Sequence, residues 1–283
     1  MSSPPTSESA RKDAEPRARA HAAEAARGEL GRWILACCGA ALLMALASQF
    51  EAVWVTPRWG FFLAFAVVAL QTLLVACVAP MRRLWLPLGA LLLALAFTAL
   101  RGSAPGAWTG AALTTALLAG GTAIGAALGA RIEHAGHLLA VALVSGLADL
   151  WSAHAGPTAR MVADAISRPE RLALFALPWP LWGTGTIQPV LGVGDVVFVA
   201  LYLATFRRHG LSRVRACVGM GAGFALGLGL LLGLERAVPL LPLLGAGAIC
   251  ADRRARALEK RELVLVVAVT AVLAGLLATR WGR

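Results

Sequence analysis

Apolar residues in this chain come in long blocks broken by short polar or charged loops. The blocks predict nine helices, at roughly 30–50, 60–79, 84–100, 108–130, 137–154, 188–206, 212–234, 237–251 and 262–280. Most reach the ~17–25 residues that a helix needs to cross the hydrocarbon core of a bilayer. The 237–251 block is short and carries Pro239 and Pro242, so it reads as a broken or half-buried helix. The expected fold class is all-α, a polytopic membrane protein of about nine transmembrane helices. Residues 1–29 are of a different character: rich in Ser, Pro, Ala, Arg and Glu and without apolar periodicity, they predict a disordered tail. That tail is too long and too charged for a signal peptide, and no convincing cleavage site follows the first apolar block.

Composition sharpens this picture. The chain is 59% hydrophobic and 14% charged, with a mean hydropathy of +0.73, which excludes an ordinary soluble domain. The net charge of +11 raises the question of a nucleic-acid partner, but its distribution answers against one. Basic residues gather in the tail, at Arg82 and Arg83, at Arg131, between Arg207 and Arg215, and between Arg253 and Arg261. With nine spans and a cytoplasmic N-terminus, all of these fall on the cytoplasmic side, as the positive-inside rule requires. The loop 155–187, with Arg160, Arg168 and Arg171, is the exception. Arginine outnumbers lysine 24 to 2 in an Ala-, Gly- and Leu-rich chain, a bias of GC-rich bacterial genomes, so the expected location is a bacterial inner membrane.

The chain divides into a tail (1–29), N-terminal transmembrane helices (30–130), a region holding the chemistry (131–251), and a basic loop with a last helix (252–283). The fourth span carries Gly121, Gly125 and Gly129, and the seventh carries Gly219, Gly223 and Gly227. Small residues at four-residue spacing let helix backbones approach closely in a membrane, so these stripes predict packing faces. Trp179 and Trp182 beside prolines predict that 155–187 is a partly helical segment lying at the membrane surface. Cys37, Cys38, Cys77, Cys217 and Cys250 form no CxxC pair and read as inert buried thiols. His134, His137 and His154 fall at segment edges and read as interfacial.

The candidate chemistry lies in two acids. Asp149 and Asp195 are the carboxylates set well inside apolar stretches, ALVSGLADLWSA and IQPVLGVGDVVFVALYLATF. Placing such a group at membrane depth costs roughly 2.5–3.5 kcal/mol, which marks it as a functional candidate. Consecutive spans run antiparallel, so an acid near the end of span five and one near the start of span six share a depth. Two carboxyls facing each other in a low-dielectric cleft cannot both ionise easily and share one proton. That arrangement suits aspartyl proteolysis. Gly192 and Gly194 flank Val193 just before Asp195, where they loosen the helix and admit another backbone.

Three blocks together resemble one family, the presenilins and signal peptide peptidases, which are GxGD intramembrane aspartyl proteases. LGVGDVVFVALYLATF is similar to that family's second catalytic helix, and GLADLWSAHAGPTARMVADA to its first. ERAVPLLPLLGAGAI, after a Gly/Leu-rich helix, is similar to its Pro-Ala-Leu segment. The resemblance implies a presenilin-like bundle with Asp149 and Asp195 as catalytic residues. It implies that Gly192, Val193, Gly194, Pro239, Leu240 and Leu241 contact substrate. It implies a transmembrane peptide or signal-peptide remnant as partner, and no metal or organic cofactor. This sequence departs from the pattern in four places. Ala148 stands where the family has Tyr, Leu240 replaces the middle Ala, four spans rather than five precede Asp149, and an extra C-terminal helix follows. The charge pattern orients the chain as in signal peptide peptidase and opposite to presenilin.

Other functions were weighed against this one. Prepilin-peptidase-like enzymes also use GxGD but carry Lys two residues after the Asp, where this chain has Val197. A proton-coupled transporter would use both acids but calls for inverted repeats, and none is evident. A catalytically silent family member, acting as a membrane chaperone or binding protein, fits the Ala148 substitution.

Overall fold

The computed structural model of the chain describes residues 28–49, 55–80, 107–154, 156, 172, 174–184, 186–234, 238–258 and seven positions between 264 and 275. In chain order these form α1 (Gly28–Ala47), α2 (Pro57–Val78), α3 (Ala107–Gly129) and α4 (His137–His154). Then come strands β1 (Ala176–Leu181) and β2 (Thr186–Gly192), followed by α5 (Val193–Arg208), α6 (Arg213–Leu234) and α7 (Leu241–Ala251). A 3-10 turn, Arg253–Arg256, closes the described part.

The protein is mostly helical, and among the described residues four helices (α1, α2, α3 and α6) are long and apolar enough to cross a membrane. This corrects the expectation of nine spans. Helices α4 and α7 are apolar but shorter, and α5 has 16 residues, about 24 Å at 1.5 Å per residue. Hydropathy counts an apolar block whole, whether or not one helix fills it. The block at 188–206 begins as strand and turns helical only at Val193. The expected third span, 84–100, lies outside the described residues, as does the last one, 262–280, apart from seven helical positions.

A two-stranded antiparallel sheet also corrects the all-α expectation; of the segment 155–187 expected at the membrane surface, residues 155, 157–171, 173 and 185 lie outside the described residues, and 176–181 is strand. Pro178 and Pro180 keep β1 extended, since proline has no amide for a helix and is tolerated in edge strands. Pairing runs from Ala176 opposite Gly192 to Leu181 opposite Thr186, with an irregularity between Leu177 and Pro178. The connecting turn needs Gly183 at φ 85°, a left-handed conformation that glycine adopts without a steric cost. This hairpin plugs one end of the bundle. Trp179 is fully buried, Thr114 of α3 donates to the Pro178 carbonyl at 2.6 Å, and Trp182 Nε1 donates to the Ala47 carbonyl at 3.2 Å. The Trp182 carbonyl rests on Gly60 of α2, where a Cβ would overlap it. Tryptophan beside proline reads as interfacial in sequence, but here the prolines fix a strand that carries the rings inward.

Both glycine stripes are packing faces. Along α3, Gly121 meets Val196, Gly125 meets the Val197 carbonyl, and Gly129 meets the Leu201 carbonyl, so α3 and α5 run side by side in parallel. Thr205 Oγ1 ties them again through the Gly129 carbonyl at 3.2 Å. Along α6, Gly219 lies on the Gly247 carbonyl, Gly223 on that of Leu243, and Gly227 on the Leu240 side chain. The first stripe therefore seats α5 and the second seats α7. The core between them is filled by Leu113, Leu117 and Leu118 of α3 with Val196, Val199, Tyr202 and Phe206 of α5, each at most 1% exposed.

Candidate functional site

Helix α5 starts directly where β2 ends. Gly192 is its N-cap, and the Val193 amide still donates to the Phe175 carbonyl at 2.9 Å, so the hairpin ladder fixes the first residue of the helix. Asp195 follows in the first turn, half-buried, at the end where the helix dipole favours a negative group. It folds back on its own cap: a Cβ at Gly192 would stand 3.1 Å from Asp195 Oδ2. Gly194 has open space where a side chain would be.

Asp149, also half-buried, projects from the last turns of α4 toward a second helix N-terminus. Helix α7 has no side-chain cap of its own, because Leu240 at the N-cap offers no acceptor and Pro242 has no amide. The buried Leu241 N–H of its first turn finds its acceptor outside the helix, in Asp149 Oδ2 at 3.0 Å. An acid from one helix thus caps another 92 positions away. Gly146 lies against Pro242, and Gly245 lies against Ala142, so α4 and α7 approach closely through small residues beside this contact.

The site is the place where the N-termini of α5 and α7 converge, each with a carboxyl group in front of it. The two carboxyls are near enough to act on each other electrostatically. Among the described residues neither has a basic partner. Of the predicted residues, Asp149 and Leu241 are in direct contact, and Gly192, Val193, Gly194 and Asp195 form the opposing strand-to-helix junction. Leu240 turns its Cδ2 into the notch at Gly227 of α6, so its extra bulk relative to alanine is taken up there. Pro239 precedes α7 and does not kink it.

Two polar residues deeper in the bundle were not singled out from sequence. Tyr202, the one tyrosine of the chain, is fully buried two turns beyond Asp195, and the side chain of Ser145 stands beside its hydroxyl. A Cβ on Gly245 would stand 3.1 Å from that hydroxyl. Ser145 lies one turn before Asp149 and is buried as well. The seven-residue spacing from Asp195 and the four-residue spacing to Asp149 put each on the helix face of its acid, a signal present in the sequence. Among the described residues no group of three or more His, Cys, Asp or Glu is placed to hold a metal ion.

Apart from Arg58, the described basic residues collect at the opposite end of these helices. Arg207 reaches Glu29 at the start of α1 and the Ala79 carbonyl after α2, and Arg213 reaches the Cys77 carbonyl. Arg215 pairs with Asp252 at 3.1 Å, just past the end of α7. No family model, curated protein or solved structure matches this chain.

Proposed function

We propose that this chain is an intramembrane aspartyl endopeptidase, similar in plan to presenilin and signal peptide peptidase, that hydrolyses peptide bonds in transmembrane segments or signal-peptide remnants. The observation that carries the reading is the convergence of three separated stretches. The α4 acid, the Gly-Val-Gly-Asp junction and the Pro-Leu-Leu segment meet at one place in the bundle. A half-buried pair of carboxyls with no cation beside it among the described residues is suited to holding one proton between them. The ionised member accepts a proton from water as the water oxygen attacks the scissile carbonyl carbon. The protonated member donates to the carbonyl oxygen as the tetrahedral intermediate forms. Collapse breaks the C–N bond: one carboxyl gives its proton to the leaving amine while the other takes a hydroxyl proton from the tetrahedral diol as the C=O re-forms, so the dyad again holds one proton. The pair titrates as a unit.

The substrate must be extended to be cut. Strand β2 runs straight into the Asp195 helix, is half-exposed along most of its length, and pairs on one side with β1. Its other edge suits an unwound segment that lays its backbone along it toward the acids. On this reading the shorter helices also lie at membrane depth, the basic end faces the cytoplasm, and the membrane is a bacterial inner membrane. Purified protein is tested against a panel of helical membrane peptides. Turnover by the wild type, and none by Asp149→Asn or Asp195→Asn that remain folded and inserted, is the expected result. Equal turnover by all three sinks the reading.

One observation favours a second reading, a binding protein without turnover: Asp149 already has a structural task at Leu241. A transition-state-analogue inhibitor of aspartyl proteases separates the two. It binds the wild type and neither Asn variant if the dyad is catalytic, and binds none of them if the acid only caps α7.

A further inference from the structure

At the basic end, the start of α1, the end of α2, the end of α5 and the start of α6 surround a cavity of about 460 Å³. Arg32, Arg207 and Arg213 line it, opposed by one acid, Glu29. Their guanidinium groups are only partly engaged. Arg207 donates to the Ala79 carbonyl at 3.5 Å and to Glu29 at 3.4 Å, Arg213 to the Cys77 carbonyl at 3.1 Å, and Arg32 to the Gly28 carbonyl at 3.3 Å. Each guanidinium carries five N–H donors, so most of them have no acceptor among the described residues. Three positive charges against one negative leave the cavity net positive, and the N-terminal end of α6 adds to it.

The same cavity has an apolar half. Val214 and Val218, one turn apart on α6, line it and are 74% and 66% exposed. They carry the wall from the arginines out onto the apolar face of a membrane-length helix. An occupant that suits both halves has a phosphate at one end and hydrocarbon at the other. We propose that this cavity binds the phosphate of an anionic phospholipid, with the acyl chains lying along Val214 and Val218. The guanidiniums would serve a free phosphate ion equally well, and it is the exposed valines that point to the lipid. This site stands apart from the carboxyl pair and does not depend on its chemistry.

The test uses the full-length protein in phosphatidylcholine nanodiscs, with thermal unfolding followed as phosphatidylglycerol is added, and in a parallel arm as inorganic phosphate is added. Phosphatidylglycerol raises the unfolding temperature saturably, and phosphate does not. Arg32→Gln/Arg213→Gln weakens the lipid response by about thirty-fold, from ~1 kcal/mol for each basic residue near a membrane surface. Arg58→Gln, at the other end of α2, leaves it unchanged. Val214→Gln/Val218→Gln keeps the guanidiniums and lowers the lipid response, which guards against a misfolded arginine variant. An equal response to phosphate overturns the assignment to a lipid. A phosphatidylglycerol response that persists undiminished in both double variants overturns the site.

Discussion

Asp149 accepts the Leu241 amide at 3.0 Å and so joins the end of α4 to the first turn of α7. Substitutions at this position separate a structural task from a chemical one. Asparagine keeps an oxygen that can accept the amide, whereas alanine leaves a buried donor without a partner, at a cost of about 1–3 kcal/mol. Asp149→Ala is expected to unfold at a lower temperature than Asp149→Asn in the same detergent. Under the proposed function both lack cleavage. An Asn variant as unstable as the Ala variant would show that the charge, not the hydrogen bond, holds α7.

The α3 glycines set the position of the Asp195 helix. A Cβ on Gly125 would overlap the Val197 carbonyl oxygen, and that backbone cannot yield without moving α5. Gly125→Val is expected to destabilise by about 1–3 kcal/mol, the usual range for overpacking. Gly229, with nothing within 4 Å of an added Cβ, is the control: Gly229→Ala should be neutral or slightly stabilising. Thermal unfolding of the two variants beside the wild type reads the contrast, which two equal midpoints would contradict.

Helices α2 and α6 meet at a pair of thiols. Cys77 and Cys217 lie with Sγ atoms 3.1 Å apart, and both are half-buried. Copper phenanthroline is expected to join them, and peptide mapping after digestion should recover a 77–217 linked pair, lost in Cys77→Ser. Cys37, buried within α1, should remain free. Recovery of any other pair in its place would mean that α2 and α6 are packed differently.

Asp252 binds the end of α7 to the 3-10 turn. It accepts the Arg254 amide at 3.0 Å and faces the guanidiniums of Arg215 and Arg254, which together hold its carboxyl below the usual carboxylate range. A carboxyl lowered on folding contributes stability that is complete above its unfolded pKa of about 3.9 and is lost as the pH falls through its folded value. Stability measured from about pH 5 downward should therefore fall less steeply in Asp252→Asn than in the wild type. Identical acid limbs would place the interaction outside the folding equilibrium.

The sequence made some of this legible, for identifiable reasons. Asp149 and Asp195 stand out because charge in an apolar run is costly, and their shared depth follows from antiparallel succession. The glycine stripes at 121–129 and 219–227 announce close packing, though not their partners, which are the two elements that carry Asp195 and Leu241. The hairpin escaped because its evidence in sequence is ambiguous. Leu-Pro-Trp-Pro-Leu fits an interfacial turn as well as a buried strand, and only contacts with Ala47, Gly60 and Thr114 decide between them. The cap on Leu241 escaped because a helix end that lacks its own cap does not name the distant side chain that supplies one. Tyr202 was passed over because an aromatic in an apolar helix reads as core. It is core, with a buried hydroxyl beside Ser145 that composition alone does not flag.

The seating of the hairpin sets an order of assembly. Strands at 176–192 find their sockets on α1, α2 and α3, elements completed well before them in the chain, and α5 can begin only where β2 ends. Asp195 is thus placed by elements that precede it in the chain, while Asp149 awaits α7, which follows it by 92 positions. The two acids reach their common place by separate routes, one through elements before it and one through an element after it. During synthesis the pair therefore stays incomplete until α7 has followed.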